Sequence, residues 1–203
     1  MRVAVDGPDA TGKTTLADEL AAELSDREVI RASIDGWHRP RAERYRLGED
    51  SPAGYYRDSF AHHALRRELL DPLGPGGDRS YRAAVFDFRT DTALALPRRS
   101  AGERPLLIFD GVFLLRPELR DAWDLAVFVR CSPDESLRRA LVRDLAFFGP
   151  AEEIDRRCRT RYLLGQELYL SEARPLANAD VVVDNDDPEQ PRLSWPCPGD
   201  SPC

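Results

Sequence analysis

The segment VAVDGPDATGKTTLADEL, residues 3–20, gathers two glycines, a lysine and two threonines in a pattern suited to holding an anion. Gly7 to Thr14 reads G-P-D-A-T-G-K-T and fits G-x-x-x-x-G-K-[ST], the phosphate-binding P-loop. Gly7 and Gly12 let the backbone wrap closely around a ligand. The loop through Asp9, Ala10, Thr11, Gly12, Lys13, Thr14 and Thr15 then surrounds the phosphates of a nucleoside triphosphate at the mouth of a helix. Thr14 offers its hydroxyl to Mg²⁺. Lys13 is the only lysine among 29 Lys and Arg residues. A slim ammonium on a flexible stem can reach the β- and γ-phosphates from a crowded loop, where a planar guanidinium is wider and differently aimed.

Other carboxylates and arginines suit phosphoryl transfer. The apolar run LLIFDG ends in Asp110, placed to hold Mg²⁺ directly or through water. In SIDGWHRP, Asp35 stands at the carboxyl end of a second strand, where α/β sheets bind ligands. There it could accept the proton of an attacking hydroxyl. Both aspartates also fit plain turn positions, and Asp35 also fits a helix cap. His38, beside Trp37, is a candidate substrate contact. SLRRALVRD puts Arg139 and Arg143 one helical turn apart, as parts of a basic lid over the transferring phosphoryl group. Arg157 and Arg161 are further lid candidates.

The elements around these residues alternate. RVAVD, EVIRASID, RPLLIFDG, DLAVFVR and ADVVVDN read as strands, and TTLADELAAEL, DSFAHHALRRELLDPL, SPDESLRRALVRDL and AEEIDRRCRTRYLLGQELYL as helices. Ser132, Pro133 and Glu135 form a capping-box pattern. YRAAVFDFRT is strand-like but polar, as at an exposed edge. This order predicts an α/β fold with a mostly parallel sheet and helices on both faces. Residues 1–185 are expected to form one domain around the P-loop. Residues 186–203 are Pro-rich and aperiodic, a tail expected to be poorly ordered.

The formal net charge of −7 argues against a general nucleic-acid binder. No apolar run reaches membrane-spanning length, and no secretory signal follows Met1, so the expected location is cytoplasmic. Cys131, Cys158, Cys197 and Cys203 lack metal-ligand spacing and read as reduced thiols. Guanine-reading N-K-x-D is impossible because the single lysine lies in the P-loop, and no L-S-G-G-Q stretch is present. The small size and the arginine-rich late segment point instead to a small-molecule kinase using ATP and Mg²⁺, with a homo-oligomer possible.

At this point the chain resembles the uridine kinase family, within the wider group containing phosphoribulokinase and pantothenate kinase. The carriers are the P-loop, SIDGWHRP, EDSPAGYY, SYRAAVFDFRT, LLIFDGVFLL and RRALVRD, between about Val3 and Asn185. The resemblance implies Asp35 as general base, Asp50 on the ribose hydroxyls and Tyr81 beside the base of a nucleoside-like acceptor. Three departures stand out. Asp110 replaces a common glutamate, Phe86 lies nearest the position of a pyrimidine-reading histidine, and LAFFGPAEE is more apolar than the usual lid. Alternatives are a thymidylate, pantothenate or sugar-phosphate kinase, or an ATP-binding switch that transfers nothing. The P-loop itself looks much like that of thymidylate kinases, but their DR[YF]xxS segment is missing.

Overall fold

The computed structural model describes residues 1–196; the sites of Cys197 and Cys203 fall outside the described residues. A six-stranded sheet forms the centre. Its strands are β1 (Arg2–Asp6), β2 (Val29–Ser33), β7 (Leu106–Gly111), β8 (Leu125–Arg130), β9 (Val181–Asp184) and β10 (Arg192–Ser194). The spatial order is β10-β9-β8-β1-β7-β2, parallel except for the antiparallel β10. β1 and β7 are buried along their whole lengths, which is why they read as unbroken apolar runs ending in aspartate.

Alternate residues on these strands feed two cores. Helix α1 (Lys13–Glu23) lays Leu16, Ala17, Leu20 and Ala21 over one face, against Val3, Val5, Ile108 and Val127. The opposite face presents Ala4, Leu107, Phe109 and Phe128 to a larger cluster containing Tyr55, Leu65 and Tyr169. Fully burying an apolar side chain of Leu or Phe size contributes about 1.5–3 kcal/mol. These rows therefore fix the sheet register, and the register fixes the site.

The polar connections form smaller pieces. They are α2 (Arg41–Arg44), α3 (Pro52–Asp58), α4 (His62–Leu65) and two ribbons, β3 (Ser80–Tyr81) with β6 (Arg99–Ser100) and β4 (Phe86–Asp87) with β5 (Thr92–Ala93). The helix expected through residues 58–73 breaks at Ser59–Ala61. Arg39 donates its N–H to Ser59 O, and Ala61 to Trp37 O, so this stretch pairs with residues 37–39 instead of coiling. The strand expected over YRAAVFDFRT is confined to the two ribbons, off the main sheet.

Helix α5 (Pro133–Phe148) starts at Ser132, whose hydroxyl accepts from Glu135 N, but the Glu135 carboxylate does not complete a capping box and binds Arg138 and Arg139. Next come α6 (Ala151–Arg157), a π-turn over Cys158–Tyr162, α7 (Leu163–Ala173) and α8 (Pro175–Asn178). Past residue 185, β10 pairs with β9 and extends the sheet. No helix among the described residues is long and apolar enough to cross a membrane.

Candidate active site

The parallel register brings three strand ends together. Val5 lies beside Asp110, Asp110 beside Ser33, and Asp6 beside Gly111 and Phe128. The P-loop, Asp110 and the turn carrying Asp35 therefore share one edge of the sheet, the ligand-binding edge of α/β folds.

Close approach explains the glycines. A Cβ on Gly7 would lie 2.0 Å from Val129 O, and one on Gly12 would lie 2.5 Å from Asn185 Nδ2. Gly12 has φ +95°, in the left-handed region, and caps α1. Asn185 Nδ2 donates to Thr11 O at 2.8 Å, and Ser136 Oγ donates to Asp9 O at 2.7 Å. The loop is thus braced from the end of β9 and from α5. Lys13 is 8% exposed, and its Nζ donates to Pro8 O. Burial lowers its pKa, opposed by the charges of Asp9, Asp6 and Asp110.

Asp6 sits under the loop with no exposure. It accepts from Gly7 N at 2.8 Å and from the Tyr169 hydroxyl. Burial pushes its pKa up, and the Tyr169 hydrogen bond works against that rise. Tyr55 donates its hydroxyl to Asp9 Oδ2 at 2.7 Å, tying α3 to the P-loop.

Asp110 is 2% exposed. Its Oδ2 accepts from Thr14 Oγ1 at 2.7 Å, and its Oδ1 pairs with Arg31 Nη2 at 3.0 Å. Arg31 is in turn held by Asp18 at 2.8 Å and by Ile108 O at 2.8 Å. The oxygens of Thr14 and Asp110 suit a hard cation such as Mg²⁺. Among the described residues, no cluster of three or more His, Cys, Asp or Glu could hold a metal by itself. A cation here would need nucleotide oxygens and waters beside these two groups.

Asp35 lies on a 3₁₀ turn, Ile34–Trp37, that follows β2 directly. The residue is exposed at this edge of the sheet. Desolvation, then the charges of Asp110 and Asp9, raises its pKa above the usual 3.8. A carboxylate so placed is a stronger proton acceptor than a free aspartate. His38 follows on the same turn, with Nδ1 3.1 Å from Asp35 O.

The arginines divide. Arg143 is paired with Asp144 at 2.6 Å, and that pairing, then the charges of Asp9 and Asp35, hold its guanidinium firmly protonated. Its charge acts on Lys13 and Asp35. Arg139 is committed elsewhere: it binds Glu135 at 2.6 Å, Asn185 O at 2.8 Å and Asp186 O at 3.1 Å. Arg157 and Arg161 grip the loop ahead of α3. Arg157 pairs with Glu49, and Arg161 Nη1 donates to Glu49 O at 2.6 Å. Asp50 is drawn into the same contact, 2.5 Å from Arg156 Nη1. Tyr81 packs in the larger core, and Phe86 is buried in its ribbon. The aromatic ring that stands beside His38 is Phe88, not Phe86.

Asp6, Tyr55, Tyr169, Asn185 and Arg31 were not singled out from the sequence. Asp6 adjoins Gly7 and was findable by position. The others reach the site across 46 to 174 residues of chain, and no local pattern marks them.

No protein-family model matches the chain. Over 196 residues it is 26% identical to a uridine kinase of Geobacillus kaustophilus, covering 89% of this chain and 84% of that protein. It is 26% identical to uridine-cytidine kinase B of Dictyostelium discoideum over 152 residues, spanning 61% of that protein's length. Among solved structures it resembles a possible uridine kinase from Bacillus stearothermophilus, with TM-score 0.67, 25% identity and 90% and 87% of the two chains covered. Phosphoribulokinase from Rhodobacter spheroides shares the fold at TM-score 0.63 and 16% identity, over 90% of this chain and 69% of that one. The braced P-loop, the parallel sheet and these likenesses agree: the chain has the fold of the P-loop kinases and is similar to uridine kinases.

Proposed function

We propose that the protein is an ATP-dependent kinase that phosphorylates a hydroxyl of a nucleoside-like acceptor, as its uridine kinase relatives are named for doing. One observation carries the reading. Lys13 and Asp110 lie at one sheet edge, near enough to the exposed Asp35 that both charges act on its carboxyl, whose pKa is raised.

The reading gives each residue a role. The P-loop amides and Lys13 hold the triphosphate at the start of α1. Thr14 and Asp110 are the residues that would hold Mg²⁺, which when bound offsets charge on the β- and γ-phosphate oxygens. Asp35 orients the acceptor hydroxyl and takes its proton as that oxygen bonds to the γ-phosphorus. The bond from the γ-phosphorus to the β–γ bridging oxygen breaks, and ADP departs with that electron pair. Arg143 adds positive charge where the transferring group carries negative charge. Proton acceptance contributes about 10²–10⁴-fold; positioning and charge stabilisation supply most of the remainder.

The test is ADP release from ATP with and without uridine, cytidine, thymidylate, pantothenate or a sugar phosphate. The reading requires strong dependence on a nucleoside. Release that ignores every acceptor would instead indicate an ATP-hydrolysing switch.

A further inference from the structure

Strand β2 lies at the end of the sheet beside β7, and its side chains alternate between the two faces. Ile30 and Ala32 enter the larger core, whereas Val29 packs in the smaller one under α1. Arg31 shares the face of Val29. At a sheet edge its long side chain could extend into water; instead it folds back over the strand ends.

Every N–H of the Arg31 guanidinium is engaged. Nε donates to Asp18 Oδ1 at 3.0 Å, and Nη2 donates to the same oxygen at 2.8 Å. Nη1 donates to Ile108 O at 2.8 Å and to Ala32 O at 3.1 Å. The second Nη2 hydrogen goes to Asp110 Oδ1 at 3.0 Å. These five contacts match the five donors of an arginine, so the plane of the fork is fixed.

That plane governs Asp110. With Oδ1 held by Arg31, Oδ2 is left toward Thr14 Oγ1, 2.7 Å away. Asp18 lies on α1, the helix that also carries Thr14. One guanidinium therefore ties the helix bearing Thr14 to the strand bearing Asp110.

We propose that Arg31 is a positioning residue for the divalent-cation site: anchored on Asp18 and two backbone carbonyls, it holds the Asp110 carboxylate with Oδ2 toward Thr14. In doing so it raises the affinity of the nucleotide-bound protein for its cation. This rests on the reading of Thr14 and Asp110 as the groups that would hold Mg²⁺, and adds what orients one of them. Removing a group that is hydrogen-bonded to a metal ligand typically weakens metal binding 10–100-fold. A guanidinium acting only as a nearby positive charge would do the opposite, because its removal would tighten cation binding. The sign of the change separates the two roles.

The test uses Mn²⁺ as the cation and ADP as the nucleotide, whose binding requires no acceptor and no turnover. With protein in excess over ADP, free Mn²⁺ is followed by its electron paramagnetic resonance signal. Arg31→Gln should bind Mn²⁺ about tenfold to a hundredfold more weakly than wild type, with ADP affinity in the absence of metal unchanged. Asp18→Ala, at an exposed position of α1, frees the fork without touching Asp110. It should weaken Mn²⁺ binding when made alone and add nothing in the Arg31→Gln background. It also carries the test if Arg31→Gln fails to fold. Unchanged or tighter Mn²⁺ binding in either single variant, or effects that simply add in the double variant, overturns the inference. A wild type that holds no Mn²⁺ with ADP overturns the cation site and the inference together. The kinase reading fails separately, when wild type binds Mn²⁺ and ADP as described yet releases no additional ADP from ATP on addition of uridine.

Discussion

Tyr169→Phe removes one oxygen from beneath the P-loop, and its effect can be worked from the contacts. Tyr169 is fully buried; its hydroxyl donates to Asp6 Oδ2 and accepts from Leu115 N at 2.9 Å. Without it, Asp6 Oδ2 keeps only the longer 3.3 Å bond from Leu115 N. A hydrogen bond to a charged group contributes about 1.5–3 kcal/mol, and a buried carboxylate cannot recruit water freely. A loss of about 2–3 kcal/mol follows, or roughly 4–12 °C in Tm for a chain of this size. The pH dependence has a definite sign. Burial raises the Asp6 pKa above 3.8, so the group adds stability below 3.8 and loses it as pH rises through the folded value. Removing Tyr169, which holds that value down, raises it further. The deficit of the variant is therefore largest at neutral pH and narrows on acidification. Urea unfolding of both proteins across a pH series measures it. A difference below about 0.5 kcal/mol at neutral pH, or one that widens in acid, would refute the reasoning.

Other outcomes can be checked with the same protein. Lys13→Ala should keep apo stability within roughly 1 kcal/mol, since Lys13 is buried at a desolvation cost, yet lower phosphoryl transfer by about 10²–10³-fold; thermal melts and single-turnover rates decide it. Asp50→Ala breaks an exposed pair with Arg156, so stability should change by less than about 1 kcal/mol, while the preference for uridine over 2′-deoxyuridine, about tenfold or more in kcat/KM, should flatten. If wild type shows no such preference, Asp50 only shapes its loop.

The site was legible where chemistry and chain neighbourhood coincide. Gly7 to Thr14 is a contiguous motif, Asp35 follows directly on a strand that announces itself by composition, and Asp110 lies near the end of another. Legibility failed where a side chain's job depends on what arrives from elsewhere. Arg139 lies on the same helix face as Arg143, but Asn185 and Asp186 meet it at the end of β9 and engage it there. Phe86 lies on a short ribbon and Phe88 in the turn just past it, and only the packing shows which ring lies beside His38. The amphipathic pattern around His62 and His63 indicated a longer helix; backbone pairing of residues 59–61 with 37–39 won over local propensity. The tail's β10 is short and fully exposed, so hydrophobic periodicity could not reveal it.

The central claim is that Asp35 accepts a proton from an acceptor hydroxyl at a P-loop ATP site. The most direct measurement is uridine-dependent ADP release by wild type and Asp35→Asn across pH, with ATP affinity determined in parallel. Wild type should lose activity as pH falls through an Asp35 pKa above 3.8. The variant should bind ATP like wild type, turn over about 10²–10⁴-fold more slowly and lack that acid limb. Turnover within about threefold of wild type, with the same acid limb, would contradict the account and place the base elsewhere.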